Sequence, residues 1–395
     1  MKQKVNIVIF SDTGKDPDDE ITHVLLRGLA YSPEYFTSEI LAHLSYSQNT
    51  QVKALGAVAN LEPSHKRAQL TKGIYTMLGW KHFPTGVGTN CTSVHDKSRN
   101  LDYQFNVKYL MPPDTLEHGE GLAYSLFKKA KTKSLTLLLI SGLTDVCRFI
   151  REYPKLFFNR VKNVVLMSGV QRNNGGLVRE LPYCYLEPDS AANNYFDMSA
   201  ARAVFHYLQR YNIPMTILTR EATYAVKIPK TIFDEMAQTQ HPIGIRLRDS
   251  QKHYISALWV ACNLDPKDPN RKELPPRWNR EYFCRIFCDG KNPSEFQEQE
   301  IWNFVEVCYW YDPLTLIAAI PKLCEYFYEP HIVGIHDTEH KIIGLSEKNH
   351  GVKNPQELVD FLRTNILGVL AKTSKKANAD LEKFLHEQKK FEETL

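Results

Sequence analysis

Short apolar runs that end in polar turns, most of them followed by a stretch of helical spacing, recur along this chain. Val5 to Phe10 is too short for a helix and is bounded by turn formers, which predicts a buried strand. ALGAVANLEPSHKRAQLTKGIYTMLGW reads as a second strand, a turn and a long helix, and SLTLLLISGLTDVCRFI as the clearest buried strand and helix start. KNVVLMSG and IPMTILTREATYAV add two more strands, and Ala200, Ala201, Val204 and Leu208 mark the core face of a further helix. HIVGIHDTEHKIIGL predicts a β-hairpin, with an amphipathic helix following from Pro355. Residues 31–52 and 91–115 carry no periodicity. The repeated βα units fit one large α/β domain or two ordinary ones.

The first of these strands meets an unusual turn. Asp12, Asp16, Asp18 and Asp19 fall within SDTGKDPDDE, four carboxylates in eight residues. Carboxylates packed this closely repel one another unless hydrogen bonds, protons or a cation compensate, and a hard cation with oxygen ligands does so most directly. The plain alternative is a solvated acidic loop that caps the helix starting near Ile21. An EF-hand is excluded, because counting from Asp12 the sixth and twelfth positions are Pro17 and His23 rather than Gly and Glu. A haloacid-dehalogenase phosphatase is excluded too, because Gly14 stands where its second Asp belongs.

Composition narrows the classes. A net charge of +4 in 395 residues, with no basic run interleaved with aromatics, gives no nucleic-acid surface. Eight cysteines are too few for a disulfide scaffold, and Cys284 and Cys288 lack a second pair at zinc-finger spacing, so reduced buried thiols are expected. The amino-terminal apolar run meets aspartates at once, unlike a signal peptide, and nothing reaches membrane-spanning length. The expectation is a cytoplasmic protein without nucleic-acid or membrane partners.

Other strand ends also carry polar residues with two readings each. Asn60 is a turn former or a ligand, His118 in LEHGEGLAYSLF a surface cap or a pocket residue, Thr144 and Asp145 helix caps, and Asp312 before Pro313 a cap of an apolar helix. Taken in order, SDTGKDPDDE, the Asn60 strand, FPTGVGTN, LEHGEGL, SGLTD, the Met167 strand with its Asn/Gly loop, the Asn193 segment and YDPLTLIAAI resemble the nucleoside hydrolase (inosine-uridine preferring N-ribohydrolase) family. The chain is similar to a divergent member with an insertion at about 238–300.

That resemblance implies an open, mostly parallel α/β sheet with helices on both faces, in a domain spanning 1–371 followed by a charged helical tail, 372–395. It implies a calcium ion (Ca2+) held by Asp12, Asp19, Asp312 and the Thr144 carbonyl. With Asp19 bidentate, a water and a ribose diol would bring the count to eight oxygens, within calcium's range. Asp12 would be the general base, with Asp18, Asn60, Met167, Asn174 and Asn193 around the ribose and His118 in the pocket. The activity implied is hydrolysis of the N-glycosidic bond of a small N-riboside, in a homo-oligomer. Two departures stand out: Ala191 lies near the place of a family Glu, and Tyr311 precedes the Asp-Pro-Leu string where a His often stands. Arg277, Trp278, Arg280, Tyr282 and Phe283 of the insertion either form a lid or recognition surface or pack it onto the body. The alternative function is a calcium- and ribose-binding protein without useful turnover.

Overall fold

Strand Gln3–Ser11 (β1) shows why the sheet is central. Val5, Ile7 and Ile9 enter one hydrophobic core and Val8 and Phe10 the other, so both faces of the strand are buried. The computed structural model describes residues 2–14, 16–30, 39–91, 105–173, 176–177, 179–180, 185–271, 274, 277–291 and 300–393. Eight more strands complete the sheet: Thr50–Ala59 (β2), Thr85–Val87 (β3), Glu117–His118 (β4), Leu135–Ile140 (β5), Val161–Met167 (β6), Met215–Leu218 (β7), His331–Ile335 (β8) and Thr338–Ile343 (β9). Their order is β8-β9-β7-β6-β5-β1-β2-β3-β4. Every pairing is parallel except β8 with β9, the expected hairpin. This is the open, mostly parallel α/β sheet that the sequence implied.

Helices cover both faces. Helices Pro17–Leu29, Ser64–Met77, Pro242–Asn263, Tyr311–Ala318 and Pro355–Glu393 close the first core, and Gly119–Lys129, Thr144–Glu152 and Met198–Arg210 the second. The strand into β2 begins at Thr50, earlier than its apolar run, because Thr50 to Lys53 pair with Gln3 to Asn6. Within 31–52, short helices span Glu39–His43 and Tyr46–Asn49. Helix Pro355–Glu393 runs unbroken through residue 371, with Ala377 fully buried and Asp380 accepting from Lys81 Nζ at 2.9 Å. It crosses helix Pro17–Leu29 at Gly28, where a Cβ would lie 2.7 Å from Val369. Only glycine permits that approach.

Helix Pro242–Asn263, in the segment expected as an insertion, is bolted to the body. Arg246 donates to both oxygens of the buried Glu20 carboxylate at 3.1 Å each. Phe283 is fully buried against Trp259 and Phe287, and the Arg280 guanidinium lies 5.2 Å from the Trp259 ring. These contacts tie the segment's own helices together, and Phe283 also belongs to the hydrophobic core shared with the body.

Candidate functional site: a buried carboxylate cluster at the end of the central strand

In a parallel sheet, ligands bind beyond the carboxyl ends of the strands, and β1 ends at Ser11, directly before Asp12. The chain reverses through Gly14, whose φ of +92° an L side chain rarely adopts, and enters helix Pro17–Leu29 with Pro17 in the first turn. Asp18 and Asp19 therefore lie in the first turn, where the helix dipole favours negative charge. A second helix amino end, that of Tyr311–Ala318, meets it: Asp18 Oδ2 accepts the backbone N–H of Tyr311 at 3.0 Å and of Asp312 at 3.4 Å. Asp19 Oδ1 accepts the backbone N–H of Asp12 at 3.1 Å.

The result is one group of oxygens from Asp16, Asp18, Asp19 and Asp312, all within 4.8 Å of one another. Burial holds the Asp18 carboxyl well above its usual range, helped by the charges of Asp16 and Asp312, while the Tyr311 N–H pulls it down. Burial likewise raises Asp19, with Asp12 the largest neighbouring charge. Asp18 Oδ1 and Asp19 Oδ2 are buried and accept no hydrogen bond among the described residues. Buried carboxylate oxygens left so are costly. A divalent cation satisfies them directly, and an all-oxygen donor set matches a hard ion such as calcium or magnesium rather than zinc.

Of the residues expected to hold a metal, Asp19 and Asp312 come together here. Asp12 borders the group through Asp19, and Asp16 and Asp18 join it. Thr144 opens the helix after β5, the strand paired with β1, and its hydroxyl donates to Asp197 Oδ2 at 2.8 Å. Asn60 follows β2 directly and is fully buried, its amide donating to Gly142 O at 3.0 Å and Asp145 Oδ2 at 2.9 Å. That amide ties the end of β2 to the turn after β5. Asn193 donates to the carbonyl of Met167, the last residue of β6, at 3.0 Å, so these two expected ribose contacts adjoin. His118 ends the edge strand β4, exposed, at the start of helix Gly119–Lys129. Asn174 lies outside the described residues.

Two supports, Arg67 and Arg246, escaped the sequence reading, as did the tyrosine partners of Tyr311. Arg67, 1% exposed, donates to the carbonyls of Asp12 at 2.8 Å, Thr13 at 3.2 Å, Leu61 at 3.1 Å and Glu62 at 2.8 Å, pinning the turns after β1 and β2 together. Arg246 compensates Glu20, the acid beside Asp19; a buried carboxylate always asks for such a partner, but sequence does not name it. On the far side of Asp18, Tyr311 shares a hydrogen bond with Tyr224 and lies near Tyr254, and burial pushes its phenol well above the usual value. These tyrosines, with Trp278, Tyr309 and Asp16, enclose a small cavity of about 70 Å3.

A larger cavity, about 760 Å3, opens at the β3–β4 edge between Gly88, His118, Thr144 and Arg148. All seven described cysteines are buried free thiols. Among the described residues, no helix is long and apolar enough to cross a membrane.

The chain belongs to the inosine-uridine preferring nucleoside hydrolase family, whose model matches residues 37–379. The acidic turn precedes that segment and is joined to it in space by Asp312. Among solved structures, the chain is similar to the type III effector protein XopQ complexed with adenosine diphosphate ribose, at 24% identity and a TM-score of 0.74 over 94% of both chains. It is also similar to the effector protein XOO4466, at 23% identity and a TM-score of 0.73 over 94% of this chain and 95% of that one. A purine-preferring ribonucleoside hydrolase from Gardnerella vaginalis matches at 16% identity and a TM-score of 0.56, over 93% and 99%. Likeness at these identities speaks for the fold. Over 148 residues the chain is 29% identical to the uncharacterized ABC transporter ATP-binding protein YtlC of Bacillus subtilis (strain 168), covering 35% of this chain and 52% of that one. The chain thus spans about half the length of that relative, and it contains no Gly-x-x-x-x-Gly-Lys-Ser/Thr string.

Proposed function

We propose that the chain is a calcium-dependent hydrolase of the N-glycosidic bond of a ribonucleoside or related N-riboside, releasing ribose and free base. The observation that carries this reading is the group Asp16, Asp18, Asp19 and Asp312 at the end of the central strand, in which the buried Asp18 Oδ1 and Asp19 Oδ2 accept no hydrogen bond among the described residues. Those four residues would hold the ion. When bound, it supplies a Lewis acid that lowers the pKa of a water and neutralises the cluster.

The chain's own residues do the rest. Asp12, buried beside Asp19, takes the proton of the attacking water as general base. Asp18 is fixed by two backbone N–H groups and so presents its other oxygen in one orientation, suited to a ribose hydroxyl or the ion. Asn193 and Met167 flank the sugar, and the transition state is oxocarbenium-like, as in other glycoside cleavage. Tyr311 faces the leaving group. Its raised pKa makes it a poor acid, so a base that departs as a neutral molecule, as nicotinamide does, suits this site better than one needing protonation.

That same phenol favours a second reading, a ribose-binding protein without turnover. The effector XopQ, described as complexed with adenosine diphosphate ribose, makes that compound a useful probe. Purified protein with calcium, assayed for released free base on purine, pyrimidine and nicotinamide ribosides and adenosine diphosphate ribose, separates the two. Release of base from any of them supports the hydrolase. Saturable binding without release supports the second reading.

A further inference from the structure

The cavity of about 760 Å3 stands apart from the carboxylate cluster and its wall is chemically different. Four helices begin on it: Ser64 opens one, His118 precedes another, Thr144 opens a third, and Asp197 and Ser199 stand at the start of the fourth. The fourth is capped by Asp197, which accepts the Ala200 N–H at 3.0 Å. Among the described residues, the first three have no side-chain cap from the residue that precedes them, and of their first N–H groups only that of Ser64 is taken up, by Asn90 Oδ1 at 3.2 Å. Helix amino ends left so retain donors and partial positive charge for an anion.

Two independent features point the same way. Arg148 and Arg151, one turn apart on helix Thr144–Glu152, line the cavity without an ion pair among the described residues, although Arg151 shares a hydrogen bond with Tyr207 and feels the charge of Asp197. Ser64, only 5% exposed, faces the cavity with a hydroxyl that makes no hydrogen bond among the described residues. The carboxylates on the wall are answered locally: Asp197 by the Thr144 hydroxyl and the Ala200 N–H, and Glu117 by the charge of Lys72.

We propose that this cavity binds a phosphate or pyrophosphate group, held by Arg148, Arg151, Ser64 and the helix amino ends. Its volume is in the range of small-molecule sites. β1 and β3 are two strand spacings apart, about 10 Å, and Asn60 bridges them, its N–H on Ser11 O and its side chain on Asp145, which also holds Thr89. The substrate class that follows, a 5′-phosphorylated N-riboside, rests on the hydrolase reading; the anion site itself does not.

The test is calorimetry of the full chain with inorganic pyrophosphate in EDTA and, with calcium, with inosine 5′-monophosphate against inosine. Wild type should bind pyrophosphate and prefer the monophosphate to inosine at least tenfold, with affinity falling steeply with salt. Arg148→Gln/Arg151→Gln, at exposed positions, should lose that preference while binding inosine as before; Ser64→Ala should weaken pyrophosphate binding several-fold. No pyrophosphate binding, or equal binding by the double variant, would overturn the site. If the anion binds as proposed but no riboside is hydrolysed with calcium, the site stands and the hydrolase reading fails.

Discussion

Asp18, in the first turn of the first helix, accepts the backbone N–H of Tyr311 at 3.0 Å, joining residues 293 positions apart. The same oxygen also accepts from Asp312, so two helix amino ends share one carboxylate. The cluster therefore exists only when the first and last motifs of the domain have docked. Assembly of the fold and assembly of the site are one event.

Asp18→Asn keeps an acceptor oxygen but removes a charge. Without calcium, relief of like-charge burial should leave the variant as stable as wild type or more so. Its melting temperature should rise much less on adding calcium, because the gain follows binding affinity. Thermal melts with and without calcium check this, and an undiminished calcium-dependent rise would remove Asp18 from the site.

Arg246 and Glu20 form a buried bidentate pair, with side chains 11% and 0% exposed. Removing one partner leaves an uncompensated charge, so Arg246→Met should cost about 3–5 kcal/mol in urea denaturation. Adding Glu20→Gln should recover a large part of that loss. A double variant no better than Arg246→Met would mean that the arginine acts through packing instead.

His340 sets a pH dependence away from the site. Burial pushes its imidazole down to about 4, and Nδ1 accepts the Met215 backbone N–H at 3.2 Å, which requires the neutral ring. The unfolded chain takes up a proton near pH 6.5 that the folded chain refuses until about pH 4. The stabilisation is therefore fully present above pH 6.5 and is lost as pH falls towards 4, by up to roughly 3 kcal/mol. His241, also pushed down to about 4 by burial, acts in the same direction. His340→Gln should flatten the fall in melting temperature between pH 7 and 5, and an unchanged slope would assign it elsewhere.

Tyr311→Phe should cost little on a riboside with an activated leaving group such as p-nitrophenol, because no proton is needed there. Tyr311→Ala should cost more on the natural substrate, since the ring itself is lost from the wall with Tyr224. Steady-state kinetics on both substrates measures the difference, and a Tyr311→Phe defect as large on the activated substrate would make the phenol an essential acid.

The sheet and the acidic turn were legible because their signals are local: an apolar run of strand length, then four aspartates with no room between them. Asp312 was legible through YDPLTLIAAI. Arg67 and Arg246 were not, since Asp12 and Glu20, which they hold, lie 55 and 226 residues from them and only packing selects those pairs. Asn60 shows the same limit, for its position after β2 was readable while its bond to Asp145 depends on strand order. Asp16 looked like part of the turn, and its place among the cluster oxygens follows from the geometry of Gly14 and Pro17.

The most direct test of the central claim is the rate of ribose release by the full chain after chelation and after calcium is restored, in wild type and Asp12→Asn. Wild type should release ribose from at least one N-riboside only with calcium, and Asp12→Asn should retain substrate affinity while losing about 10²- to 10⁴-fold in turnover. Release that persists without calcium, or an Asp12→Asn variant with full turnover, would contradict it.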